Sequence, residues 1–402
     1  MASAGAERVS LDNSHSDALF TPRFFTLFAF TFTVFVSMFQ LLPTAPYRIL
    51  AIGGSTALAG LFLGLLTYAS ALSAPFSGSV VDRIGQRRVL ITTSLIIAGF
   101  SMLYAVTTNY VLMLALVVLH GFFWSGLLTA SGSYMAAILP PKRRAEGLGY
   151  WGFASIFAIG IGPSLGFVVY HFGWFTLCAE MVTLNLIMAF IAWRLPELPR
   201  HAPEGEAPFD LGDHISRLHE HVEWRVVLLS ITMSLVAFGY GALTSFSALF
   251  ADWLGVTPRG LFLIAMAITM LGGRLLIGRA IDRIGHRRVL LPSLVTCAAG
   301  MAVTAAAGGP AMLAFGGGLF GLGFGLMWPA FAALALGLSG PARSGAAYGA
   351  MIAAFDTGIG TGSSALGTIV AKFGYRPAFG FAAVLAALAA PYFLLVEKRF
   401  TK

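Results

Sequence analysis

Charge is what this chain has least of. Only 10% of its 402 residues are charged, against about 25% in ordinary globular domains, and the mean hydropathy is +0.83. Such a chain cannot clothe a water-facing surface. Cysteine is nearly missing too: Cys178 and Cys297 fall in opposite halves, inside apolar runs, too few and too separated for a disulfide framework or a metal cluster. Both read as small apolar packing residues, with no metal expected. No Gly-x-x-x-x-Gly-Lys-Ser/Thr loop is present, which excludes the usual phosphate cradle of intrinsic ATP-driven work. No apolar run carries a His-Glu-x-x-His motif or a Cys-His cluster, so neither an enzyme nor a cofactor is expected. The first twenty residues lack a basic region followed by a short apolar core, so no cleaved leader is expected.

What is present is apolar length. At about 20 residues per membrane crossing, runs lie near 23–45, 55–81, 89–107, 110–138, 145–171, 174–193, 225–250, 258–281, 289–307, 310–338, 344–372 and 377–396. The expectation is an all-α polytopic membrane protein with twelve transmembrane helices. An even number puts both termini on one side. Arg83, Arg87, Arg88, Lys142, Arg143, Arg144, Arg194, Arg279, Arg283, Arg287, Arg288, Arg343, Lys398, Arg399 and Lys402 share one face, which marks that face as cytoplasmic. The opposite loops hold only Arg48, Arg259, Lys372 and Arg376. The net charge of +8 therefore records orientation in a bilayer and gives no reason to invoke nucleic acid. The parts are a cytoplasmic tail 1–22, a six-helix bundle 23–193, a cytoplasmic linker 194–224, a second bundle 225–396 and a tail 397–402. His201, His214, His219 and His221 fall in the linker, and the spacings of the last three do not stack them on one helical face, so a solvated amphipathic helix is expected there.

The chain also repeats. Gly78 to Arg88 reads Gly-Ser-Val-Val-Asp-Arg-Ile-Gly-Gln-Arg-Arg, and Gly278 to Arg288 reads Gly-Arg-Ala-Ile-Asp-Arg-Ile-Gly-His-Arg-Arg; from 82–90 to 282–290 only Gln86 against His286 differs. A fixed offset of this kind means two homologous halves. The pattern Gly-x-x-x-Asp-Arg-x-Gly-x-Arg-Arg between the second and third spans resembles the signature of the major facilitator superfamily, here in both halves. The resemblance implies two pseudo-symmetric six-helix bundles rocking about a central site, with the bilayer as solvent, one chain sufficing, and energy drawn from a gradient or from none. It implies gating by Gly78, Asp82, Arg83, Gly85, Arg87, Arg88, Gly278, Asp282, Arg283, Gly285, Arg287 and Arg288, with Asp82 and Asp282 accepting hydrogen bonds from the starts of helices 11 and 5. Gly160-Ile-Gly162-Pro163-Ser-Leu-Gly166 resembles the Gly-Pro-x-x-Gly pattern of the antiporter branch, although Ala158 and Phe167 replace its outer glycines. Gly162, Pro163 and Gly166 fit a hinge or a plain packing kink equally. Many exporters of the family carry an arginine on helix 4, where this chain has Val117, Val118 and His120, and helix 1 has no carboxylate.

The repeat also acts as a filter: matched positions serve the scaffold, and unmatched polar ones point to a solute. Asp356 faces Ile156, Arg274 faces Ala74, His120 faces Phe320, and Gln40 faces Tyr240. Ionisable groups in hydrocarbon cost about 2.5–3.5 kcal/mol even on lenient scales, so they normally face a wet cavity or a partner. Asp356, His120, Arg274 and Glu180 are thus the proton and substrate candidates, with Gln40, Arg48, Trp124, Tyr150 and Tyr240 beside them. His120 and Asp356 together could form a proton site, an imidazole being suited to reversible protonation. Gly60-x-x-x-Gly64 reads as close helix packing, and Pro43 and Pro46 as the end of helix 1. The expected function is secondary transport of a small organic solute, by proton-coupled efflux. A facilitator or proton symporter for an organic anion, with Arg274 or Arg48 neutralising the solute, stands as the alternative, and a non-transporting receptor as the remote one.

Overall fold

The apolar runs fold as helices because water is absent from their surroundings: each backbone N–H and C=O must be bonded within its own segment. The computed structural model describes residues 18–140, 143–198, 224–277, 284–339 and 344–400. Its helices are α1 (Pro22–Ala51), α2 (Thr56–Ile84), α3 (Gln86–Val106), α4 (Tyr110–Ile138), α5 in two segments (Arg144–Trp151 and Phe153–Tyr170), α6 (Trp174–Arg194), α7 (Trp224–Trp253), α8 (Leu261–Ile277), α9 (His286–Ala305), α10 (Pro310–Ser339), α11 (Ser344–Phe373) and α12 (Tyr375–Phe400). Among the described residues there is no strand. Among the same residues ten helical stretches are long and apolar enough to cross a membrane; α8 has 17 described residues, and α11 is diluted by glycine, serine and threonine. Thr21 caps α1, its Oγ1 accepting from the Phe24 N–H at 3.2 Å, with Pro22 in the first turn.

One expectation fails here. Pro43 and Pro46 do not end α1, which runs on to Ala51. A proline deletes one backbone donor, and in an apolar medium the freed groups need another partner. The carbonyls these prolines free are those of Phe39 and Leu42. Thr44, between the prolines, adds side-chain hydrogen bonds to the adjoining Gln40 and Leu41 carbonyls at 2.6 and 3.2 Å, and the helix stays buried on both sides of the prolines. The interruption in α5 falls at Gly152, while the helix is continuous across Pro163.

Packing repeats at the same offset as the sequence. In one bundle α1 packs on α5 and α6, α2 on α4, and α3 on α4 and α6; in the other α7 packs on α11 and α12, α8 on α10, and α9 on α10 and α12. The loops repeat as well. Gly85 and Gly285 both take positive φ, 97° and 94°, which a Cβ would oppose. Arg87 lies 3.6 Å from Glu197 and donates to the Trp193 carbonyl at 2.6 Å, while Arg287 donates to Glu397 at 2.8 Å. Both pairs tie a signature loop to the end of the sixth helix of its own bundle. Arg48 and Arg376 hold equivalent carbonyls past the ends of α3 and α9, those of Thr107 and Ala307, at 2.8 and 3.2 Å.

The end carrying Asp82 to Arg88 is here termed the basic end, and the other the far end. The bundles meet along α2 with α11 and α5 with α8. From the far end toward the middle, α2 and α11 approach backbone to backbone. A methyl group on Gly60 or Gly64 would press into Ser363, Gly367, Ser364 and Gly360. Ser363 donates to the Gly60 carbonyl at 2.7 Å and shares a 2.7 Å hydrogen bond with Ser245 on α7, and Tyr68 meets Thr361 at 2.6 Å. At the far-end rim Tyr47 and Arg259 both donate to Asp252, at 3.0 and 2.8 Å. The bundles are therefore closed together at the far end.

Candidate functional site

The site begins where this seam stops. Gly360 lies against Thr67 and Tyr68 of α2, and Asp356, four residues earlier, falls on the same helix face one turn nearer the basic end. Its carboxylate is half-buried and has no hydrogen bond or ion pair among the described residues. Beside it Phe355 lies 4.8 Å from Trp328, 5.9 Å from Phe324 and 6.3 Å from Tyr240, ring centre to ring centre. Tyr240 and Phe324 stack at 4.6 Å. Arg274 reaches the same stretch of α10, its Nε donating to the Gly325 carbonyl at 3.1 Å. No carboxylate pairs with it among the described residues. The second bundle thus gathers Phe355, Tyr240 and Arg274 around one aromatic stretch of α10, with Asp356 next to Phe355 in sequence. Trp328 and Phe355 were missed by sequence reasoning. The signal was there: the offset that sets Asp356 against Ile156 sets Trp328 against Leu128 and Phe355 against Ser155, but the filter was applied to polar residues alone.

The first bundle keeps its candidates inside itself. His120 is 1% exposed, lies parallel to Phe100 at 5.7 Å, and has Nδ1 3.2 Å from the Tyr104 hydroxyl. It turns toward α3, so the joint proton site with Asp356 does not form. Trp124, one turn on, lines the same small void as His120, Ser37 and Asn185, and packs edge-on against Phe35 at 5.7 Å. Gln40 is fully buried and donates to Glu180 Oε1 at 3.2 Å. Arg48 is committed to Thr107 and lies over Trp174 at 5.8 Å. Tyr150 packs on Phe20 and Phe153 at the basic end, away from the aromatic group on α10.

The residues resembling the antiporter pattern pack on α1: Gly162 against Phe39 and Gly166 against Gln40. Gly162-Pro163-Ser164-Leu165-Gly166 also spells the Gly-x-Ser-x-Gly spacing of a hydrolase nucleophile elbow. Here it lies within a helix, whereas that chemistry needs a strand–turn–helix corner with a base at hydrogen-bonding distance, and Ser164 Oγ has no partner among the described residues. Of the gating residues, Gly78 has open space where a side chain would lie. Asp82 is exposed and without a hydrogen bond among the described residues. Gly278, Asp282 and Arg283 lie outside the described residues, as do 340–343 at the start of helix 11 and the linker histidines. No group of three metal-ligating side chains occurs among the described residues.

A family model described as Major Facilitator Superfamily matches residues 24–279 and 229–402. An uncharacterized MFS-type transporter of Pseudomonas aeruginosa is 29% identical over 343 residues, covering 82% of each chain. Among solved structures, the nucleoside transporter NupG superposes with a TM-score of 0.75 at 16% identity, over 94% of this chain and all of that one. The human organic anion transporter MFSD10 does so at 0.68 and 18%, over 93% of this chain and all of that one. At such identities these two speak for the fold alone.

Proposed function

Since the chain belongs to the major facilitator superfamily, we propose that it exports a small amphipathic organic solute in exchange for protons, by alternating access across a bacterial inner membrane, with the basic end and both termini in the cytoplasm. The observation that carries this reading is Asp356: a carboxylate without a hydrogen bond or ion pair among the described residues, on the α11 face that meets the other bundle one turn farther on, and next in sequence to Phe355, whose ring packs with Trp328, Phe324 and Tyr240. A carboxylate in that position holds either a proton or a solute cation, and competition between the two is exchange. The aromatic faces favour a cationic or flat apolar solute. One chain supplies every residue named.

The test is proton flux in proteoliposomes with a pH-sensitive dye inside, comparing wild type with Asp356→Asn while amphipathic cations, anions and sugars are added. Proton movement driven by a solute in wild type and lost in the variant supports exchange at Asp356. Movement of labelled solute without any proton signal overturns it. A second reading has its own observation. Arg274 commits only Nε, to Gly325, leaving the rest of its guanidinium for an anion, and MFSD10, an organic anion transporter, shares the fold. Under that reading the solute is an organic anion, moved by facilitation or symport, and Arg274→Gln abolishes its uptake.

A further inference from the structure

The Gln40–Glu180 pair, between α1 and α6 and away from the aromatic group on α10, is incomplete in an informative way. Gln40 Nε2 donates to Glu180 Oε1 at 3.2 Å, while Gln40 Oε1 and Glu180 Oε2 are both sealed from solvent and without partners. If Glu180 is ionised, both orphaned atoms are acceptors and neither can satisfy the other. Burying them so is costly, the more so with negative charge on one. No cation pairs with the carboxylate among the described residues. The charged and titratable groups on the packed helices are engaged elsewhere: Arg48 of α1 with Thr107, Tyr104 of α3 with His120, and Tyr170 of α5 against Trp174; Cys178 of α6 is buried and neutral as a thiol.

One proton removes the mismatch. On Glu180 Oε2 it makes a donor whose acceptor is Gln40 Oε1, and the two side chains close into a ring of two parallel hydrogen bonds, amide to acid. We propose that Glu180 is a proton-binding site internal to the first bundle, occupied while α1 and α6 are packed as in this structure. The site is mechanically placed. Gly166 of α5 rests on Gln40, where an added methyl would come within 2.9 Å of its Cα and 3.0 Å of its Cβ, and Gly162 rests on Phe39. Sliding of α5 over α1 therefore breaks this ring, and the proton leaves where the same movement lets water reach the carboxyl.

This extends the proton-coupled reading above, yet stands apart from Asp356. The experiment is infrared difference spectroscopy of the full chain reconstituted in lipid at neutral pH. Expected is a carboxylic-acid C=O band, downshifted in D2O, that is present in wild type, lost in Glu180→Gln and kept in Asp356→Asn. Glu180→Gln retains a planar amide in the same place, so the fold is preserved. Gly166→Ala, which wedges α5 off Gln40, is expected to shift the band. A wild-type minus Glu180→Gln difference showing only carboxylate stretches overturns the proposal. Absence of proton flux in wild type with the Glu180 band intact sinks the exchange reading and leaves this site standing.

Discussion

Arg48 and Arg274 carry the same charge in apolar surroundings, and what separates them is what they touch. Arg48 spends its guanidinium on the Thr107 carbonyl and the Trp174 face, so Arg48→Leu is expected to act on stability. A hydrogen bond from a charged group is worth about 1.5–3 kcal/mol, to be read as a lowered unfolding temperature with the KM for solute unchanged. Arg274 commits only Nε to a carbonyl, that of Gly325, so under the organic-anion reading Arg274→Gln should alter solute affinity as well as lower the unfolding temperature. Asn185 belongs with Arg48: fully buried, it donates to Met181, Ser101 and Ser37 at 2.7, 3.2 and 3.4 Å. Asn185→Leu is expected to cost about 1–2 kcal/mol in thermal unfolding and to leave the KM for solute unchanged. The sequence could single out ionisable groups in hydrocarbon. It could not say which carbonyl each would reach, because Arg48 and its acceptor are 59 residues apart.

At the scale of elements, helix positions were legible, since apolar runs and glycine turns punctuate the chain, and helix ends less so. Pro43 and Pro46 read as a stop because a proline's cost is local and visible, whereas the burial that carries α1 past them comes from other helices and leaves no local mark in the sequence. Gly60 and Gly64 were legible as packing glycines, though not as packing between bundles, because a small-residue spacing names no partner. Their place against α11 makes a prediction. Gly60→Leu drives a side chain into the backbone around Ser363 and Gly367, so α2 and α11 should stand apart at the far end. Spin-label distances across the two helices should lengthen, and transport should fall at least ~10-fold, about 1.4 kcal/mol of lost coupling, while each bundle keeps its fold.

For the whole molecule, the repeat was the most legible feature, because the offset in sequence reappears in helix pairing, in Gly85 with Gly285, and in Arg87–Glu197 with Arg287–Glu397. The loops were expected to gate. Arg87, Arg88 and Arg287 brace each bundle internally as well, which lets a bundle move as one body. The pair Arg287–Glu397 is partly exposed, so a double-mutant cycle with Arg287→Ala and Glu397→Ala should give a coupling of about 0.2–1 kcal/mol, smaller at high salt. Contacts between the halves could not be read from the repeat, since they obey the symmetry of assembly and each is unique in chemistry. The rim contact of Tyr47, Arg259 and Asp252 is one of these. Asp252→Asn should raise the far-end-open population by up to about fivefold, the scale of an exposed ion pair, read by accessibility of a single cysteine placed beneath the rim.

The joint between α2 and α11 is glycine, serine and threonine laid on main chain, with no ionisable side chain in the stretch from Gly60 to Gly64 or from Gly360 to Gly367. A voltage or a pH gradient has no handle there. This seam keeps the same fit in acid or alkali; the charges that bear on far-end closure sit apart from it, at the rim of Tyr47, Arg259 and Asp252, and a group anywhere else can turn the seam only by leverage through the body of a bundle.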